Sequence, residues 1–278
     1  MQKHVKLLHN RFNEENMQKD ILVAILEDDL FSRNWMALLM VRDWRTRLMG
    51  EIANLSELSL FLEKPVTKVD ILLMDVDVIG NEPDFPGVIK SLKKNHDCVK
   101  ILCTGVRPDD RVIKAMDNDA FCGYILKHEI GYSLGWAISF AYEDHFIYTP
   151  STFAQAIKLG IPLSAKKMVL AGRAEMPGFS DRESEVARLA FIFSLGRRDL
   201  AEELKISDQW SYGMVSELYA KLGIGDILSG EVDPILYLGD NPILLDRFKK
   251  IVDKIGPSRK AKDIEALAFH FLTMPEIL

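Results

Sequence analysis

The feature that most restricts the fold of this chain is a recurring short, unbroken apolar run, each ending in a residue that carries chemistry. Ile21-Leu-Val-Ala-Ile-Leu26 is followed by Glu27-Asp28-Asp29, and Asp70-Ile-Leu-Leu-Met74 by Asp75. Val99-Lys-Ile-Leu-Cys103 leads into Thr104-Gly105, and Cys122-Gly-Tyr-Ile-Leu126 into Lys127. Runs this short, with little polar alternation, suit strands covered on both faces. A weaker strand is expected near Arg47–Ile52. Between the runs lie Phe31–Val41, Leu55–Leu62, Val88–Lys94, Arg111–Met116 and Leu134–Tyr142, each with apolar residues three or four apart, the spacing of an amphipathic helix. The alternation predicts an α/β fold, a doubly wound five-stranded parallel sheet with helices on both faces. Such sheets bind ligands at the carboxyl ends of their strands.

At that edge the chain supplies acids, an aspartate, a hydroxyl and an ammonium. Clustered carboxylates repel one another, and a hard divalent cation such as Mg²⁺ relieves the repulsion while leaving positions for phosphate oxygens. A carboxylate beside such a cation can attack a phosphoryl group and form an acyl phosphate. The Thr104 hydroxyl and Lys127 ammonium would then hold the equatorial oxygens of the transferred group. Taken one at a time, each of these residues also reads as a solvated loop or surface side chain.

Residues from about 20 to 145 resemble the receiver domain of bacterial two-component response regulators. The resemblance implies that Asp75 is the phosphoacceptor and that Glu27 and Asp28 are the acidic pair that binds Mg²⁺, with the backbone carbonyl of Asp77 a further ligand. It also makes Thr104 the switch hydroxyl, Lys127 the conserved-type lysine and Tyr124 the switch aromatic, which turns inward after phosphorylation. The plainer reading of Tyr124 is a half-buried strand aromatic. Where the family usually has Pro after the acceptor, this chain has Ile79. Implied partners are a sensor histidine kinase or a small phosphodonor, and a second copy of the chain in a homodimer.

Composition narrows the remaining choices. No apolar stretch approaches the ~20 residues that span a bilayer, and the first residues lack a secretion-signal pattern. Cys98, Cys103 and Cys122 are too few and badly spaced for a disulfide framework or zinc site, so a cytoplasmic protein with reduced thiols is expected. Lys plus Arg number 35 against 41 Asp plus Glu, a net charge of −6 that gives no global attraction to nucleic acid. No Ser-His-Asp arrangement, phosphate-binding loop or HxxxH pairing points to an enzyme that turns over a metabolite.

The second half begins with a connector, residues 149–178, containing a short helix near Phe153–Lys158 and punctuated by Gly160, Pro162, Gly172 and Pro177-Gly178. Ser180 with Glu183 forms a capping box ahead of a helix, Val186–Phe193. Asp199–Leu204 and Gln209–Leu222 then read as a helix-turn-helix. Three stretches resemble the DNA-binding domain of LuxR/NarL-class response regulators: Ser180-Asp-Arg-Glu183, Leu200-Ala-Glu-Glu-Leu-Lys-Ile-Ser207 and Tyr219-Ala-Lys-Leu-Gly-Ile224. By that resemblance Gln209–Leu222 enters the major groove, and Gln209, Tyr212, Ser216, Arg197 and Arg198 are the expected DNA contacts.

Against this, residues 179–224 hold six bases and eight acids, although phosphate contacts need Lys or Arg. A helix-turn-helix kept for protein contacts is the alternative. The expected organisation is an N-terminal extension (1–19), a receiver domain (20–148), the connector, a helix-turn-helix domain (179–228) and a C-terminal helical extension (229–278). The extension carries seven bases between Arg247 and Lys262, interleaved with acids. Its His270 is expected to be a packed core histidine.

Overall fold

The computed structural model describes residues 20–63, 68–79, 87–90, 92, 99–116, 120–173, 178–233, 241–258 and 260–278. The expected N-terminal extension, Cys98, Pro177 and Arg259 lie outside the described residues. The chain forms two compact units, one running to Ala171 and rejoined by Ile277–Leu278, the other Gly172–Glu276.

In the first unit the strands are β1 (Ile21–Leu26), β2 (Thr46–Ile52), β3 (Ile71–Asp75), β4 (Lys100–Gly105), β5 (Phe121–Leu126), β6 (Phe146–Tyr148) and β7 (Lys167–Ala171). The sheet is completed by β8 (Glu276–Ile277), in the order β2-β1-β3-β4-β5-β6-β7-β8. The pairings from β2 through β7 are parallel. Helices α1 (Leu30–Arg42), α2 (Leu55–Leu62), α3 (Asp110–Ala115), α4 (Leu134–Tyr142) and α5 (Pro150–Lys158) cover it.

The doubly wound α/β class is as expected, and the five expected strands occupy the order 2-1-3-4-5. The strand count is not: three further strands extend the sheet beyond β5. Much of the expected connector is therefore sheet and helix, because α5 and β7 lie within 149–178. The physical reason is visible at Gly123. It pairs with Ile147, and a Cβ built at that glycine would stand 2.2 Å from the Ile147 carbonyl oxygen. Only a residue without a side chain lets β6 approach so closely. Once docked, β6, α5 and β7 share one hydrophobic core with the rest of the sheet, through Tyr148, Ala156 and Val169 beside Leu72, Met74, Val112 and Tyr124. Burying a side chain of that size stabilises the fold by roughly 1.5–3 kcal/mol.

On the opposite face α1 packs against α4. Asp43, buried, is held by Arg45 (2.6 Å), whose guanidinium lies 4.2 Å from the centre of the buried Trp136 ring.

The second unit holds α6 (Asp181–Ala187), which continues into a π-helical turn at Arg188–Ile192, then α7 (Arg197–Leu204) and α8 (Asp208–Lys221). After them come α9 (Ile224–Ser229), α10 (Pro242–Ile255) and α11 (Ala261–Leu272). The Ser180–Glu183 capping box is formed as the sequence predicts. The C-terminal helices belong to the same core: α11 packs on the π turn, on α9 and on α10, with Phe248 and Phe271 edge to face at 5.8 Å. His270 is buried in this core.

Candidate functional site

Each residue expected at the carboxyl edge of the sheet is brought there by a different strand. Glu27 and Asp28 follow β1, Asp75 ends β3, Thr104 lies opposite Asp75 in β4, and Lys127 follows β5. The Lys127 ammonium bridges two carboxylates, 2.6 Å from Glu27 Oε2 and 2.6 Å from Asp75 Oδ2. Both carboxylate residues are 1% exposed. Asp28 is exposed, and ligand oxygens of Glu27, Asp28 and Asp75 all lie within 4.8 Å of one another. Three hard oxygen donors, with one open to solvent, suit a hydrated divalent cation.

Electrostatics fit this picture. Burial pushes the Glu27 carboxyl above its ordinary pKa, and Asp75 pushes the same way, partly opposed by Lys127. For Lys127, burial disfavours the ammonium, yet the two carboxylates outweigh it and hold its pKa above the usual value. The Asp77 N–H donates to Asp75 Oδ1 at 2.8 Å, fixing the carboxylate, and the exposed Asp77 sits in the helical turn Val76–Ile79.

Thr104 is 1% exposed, and its hydroxyl has no hydrogen-bond partner among the described residues. A buried polar group left unmatched costs about 1–3 kcal/mol.

Two roles escaped the sequence reading. Arg33, one turn into α1, donates through Nη1 to the Glu27 carbonyl (2.5 Å) and holds the acidic loop. Asp29 is the N-cap of α1, accepting from the Ser32 N–H at 2.7 Å, which lowers its pKa. The signal for it was an Asp immediately ahead of the helical apolar pattern.

Tyr124 lies in β5, but is more deeply buried than expected. Its ring is fully buried rather than half-buried, and its hydroxyl donates to the Arg107 carbonyl at 2.6 Å. Gly105 leaves the room, since a Cβ there would lie 2.9 Å from the tyrosine oxygen. Burial raises the phenol pKa, as do the nearby Cys103 and Asp109.

In the second unit α8 presents Gln209, Tyr212 and Ser216 on an exposed face, with Tyr212 61% accessible. Arg198 is exposed, while Arg197 is half-buried and its carbonyl accepts from Ser211 Oγ at 2.9 Å. Two bases of the module are engaged locally. Lys221 pairs with Glu183 (2.5 Å), and Arg182 pairs with Glu185 (2.6 Å) beside Trp210. A shallow groove of about 420 Å³ between Trp210, Gly213 and Glu217 runs along the same helix.

The first unit is thus a doubly wound parallel α/β sheet with a carboxylate–ammonium pocket at its carboxyl edge, and the second is a helix-turn-helix module. No protein-family model matches the sequence, and no curated protein sequence matches it either. Among solved structures the chain is similar to RcsB, in a complex of two dimers with two parallel DNAs, at 18% identity and a TM-score of 0.45, over 72% of this chain and 90% of that one. It is also similar to the isolated receiver domain of RcsB from Salmonella enterica serovar Typhimurium with the phosphomimetic BeF3-, at 17% identity and a TM-score of 0.43, over 49% and 98%. A third is the response regulator ChrA of a heme-sensing two-component system, at 19% identity and a TM-score of 0.39, over 84% and 99%. No helix among the described residues is long and apolar enough to cross a membrane.

Proposed function

We propose that this protein is a phosphorylation-controlled response regulator: Asp75 accepts a phosphoryl group, and the helical unit acts on duplex DNA. The observation that carries the first half is the buried Glu27–Lys127–Asp75 triad beside an unmatched Thr104 hydroxyl. In the transfer, an Asp75 carboxylate oxygen forms a bond to phosphorus. The bond from phosphorus to the donor breaks, and its electron pair leaves with the donor, a histidine-kinase phosphoimidazole or a small acyl phosphate. Lys127 passes from the carboxylate to the incoming phosphoryl oxygens, and Thr104 donates to another of them. Glu27, Asp28, Asp75 and the Asp77 carbonyl would hold Mg²⁺, which when bound screens the charge on the carboxylates and the phosphoryl oxygens. The chain performs this chemistry on itself and turns over no metabolite.

For the second half, Gln209, Tyr212 and Ser216 would face base edges, with Arg197 and Arg198 on phosphates. One observation favours the protein-docking alternative: the module is net acidic, and two of its bases are tied to its own acids. A homodimer in the cytoplasm completes the reading, using a surface other than the β5 edge, which the chain itself covers.

Incubation of the full-length protein with acetyl phosphate and Mg²⁺ should add one phosphoryl mass, and Asp75→Asn should gain none. Equal mass gain in the variant would disprove the acceptor assignment. Salt-titrated DNA binding by the same protein, weakened by Arg198→Ala, separates the two outputs.

A further inference from the structure

The segment between α4 and the second unit is tied to the candidate site at several points. Directly after Lys127, in the helical turn Lys127–Ile130, Glu129 accepts from the Ser151 N–H (3.1 Å) and from the Ser151 hydroxyl. The N-cap residue of α5, Thr149, accepts the Leu126 N–H at 3.1 Å, and Thr152 donates to the Tyr124 carbonyl at 2.7 Å. Both threonines are 0% exposed, so these bonds are shielded from water. Downstream, β6 pairs with β7 from Phe146–Lys167 to Tyr148–Val169. The strand β7 also receives the far end of the chain, because the Leu278 N–H donates to the Val169 carbonyl at 3.0 Å. The chain leaves the first unit after Ala171 and returns to it at Ile277. Both covalent connections to the second unit therefore issue from β7 and its neighbour.

We propose that β6–α5–β7 is the output relay of the first unit, carrying displacements of the Lys127 turn through Glu129–Ser151 and Thr152–Tyr124 to the strand that anchors both ends of the second unit. Its use as a response to phosphate rests on the function proposed above; the mechanical coupling itself does not. The Thr149–Leu126 and Thr152–Tyr124 bonds are neutral and buried in one core, so they move together because breaking either strands a polar group, and the half-buried Glu129 carboxylate ties Ser151 to the Lys127 turn. Coupling of this kind passes through contiguous packed and hydrogen-bonded elements.

The test is hydrogen–deuterium exchange of the full-length protein, read on peptides covering β7 and residues 276–278, with β2 at the far edge as reference. Lys127→Met perturbs the turn without any phosphoryl group, and Lys127→Arg replaces it should the first variant fail to fold. The expected result is a change in β7 exchange about fivefold or more beyond that at β2, which registers the loss of stability common to the whole unit; fivefold is about the lower end of ordinary coupling energies. In a Glu129→Gln, Ser151→Ala background the same substitution should produce a smaller excess at β7. Unaltered β7 exchange, equal changes at β2 and β7, or an undiminished excess in that background would each overturn the relay. A parallel arm uses acetyl phosphate with Mg²⁺. No added mass there refutes the acceptor assignment alone, whereas added mass with a silent β7 refutes the relay.

Discussion

At the scale of single residues, Lys127 has the most to lose. It is the cation shared by two carboxylates that are almost completely buried. Removing one partner from a buried ion pair costs about 3–5 kcal/mol, because a charge is left without compensation. Lys127→Met should therefore destabilise the first unit by roughly that amount near neutral pH, as read by denaturant unfolding. The pH dependence has a definite sign. The Glu27 carboxyl lies above its ordinary value of 4.5 through burial and Asp75, and the variant deletes the opposing influence of Lys127. A carboxyl raised on folding favours the folded state fully below its unfolded value, and that contribution disappears as pH rises through the folded value. The variant's deficit should shrink on acidification toward pH 4.5 and be greatest above neutrality. A deficit independent of pH would contradict the geometry. Glu27, Asp75, Thr104 and Lys127 were legible in the sequence because each ends an apolar run, which fixes its place at the sheet edge. Arg33 was not, since its role lies in reaching main-chain carbonyls across a turn.

At the scale of elements, legibility followed length. Strands β1, β3, β4 and β5 announce themselves as apolar runs. Strand β6 is three residues long, and β7 follows a stretch marked by Gly160 and Pro162. Such strands are specified by what they pair with more than by composition; the clue was the glycine at position 123 inside an otherwise bulky run. In the second unit, the helical periodicity of 186–193 could not reveal the π turn at Arg188–Ile192, because the extra residue is set by packing against α11. Two predictions belong here. A Cβ at Gly213 meets nothing within 4 Å, so Gly213→Ala should stabilise the second unit by about 1 kcal/mol, measurable as a higher melting midpoint. Glu183 is held down to about 2 by the Lys221 ammonium and by the Ser180 N–H of its capping box. A depressed carboxyl contributes stability above its unfolded value of 4.5 and loses it as pH falls toward 2. Glu183→Gln keeps a capping acceptor without the charge, and should flatten the acid limb of unfolding followed by Trp210 fluorescence.

Across the whole molecule, the boundary expected at residue 148 cuts through a continuous core. A chain covering 20–148 leaves β6 without its neighbour and uncovers the apolar side of α3 that α5 packs against. Unpaired strand edges of this kind recruit other chains. It should melt at a lower temperature than 20–171 and scatter light on warming; indistinguishable melting curves would show the extension to be dispensable. In the full chain β5 is an interior strand, with β6 on its far side.

The placement of β7 and β8 as neighbours also orders events during synthesis. The ribosome makes all of the second unit after β7 has emerged and before its partner strand exists. The outer edge of β7 is bare for that interval, and its cover arrives only once the whole helical insert has been made.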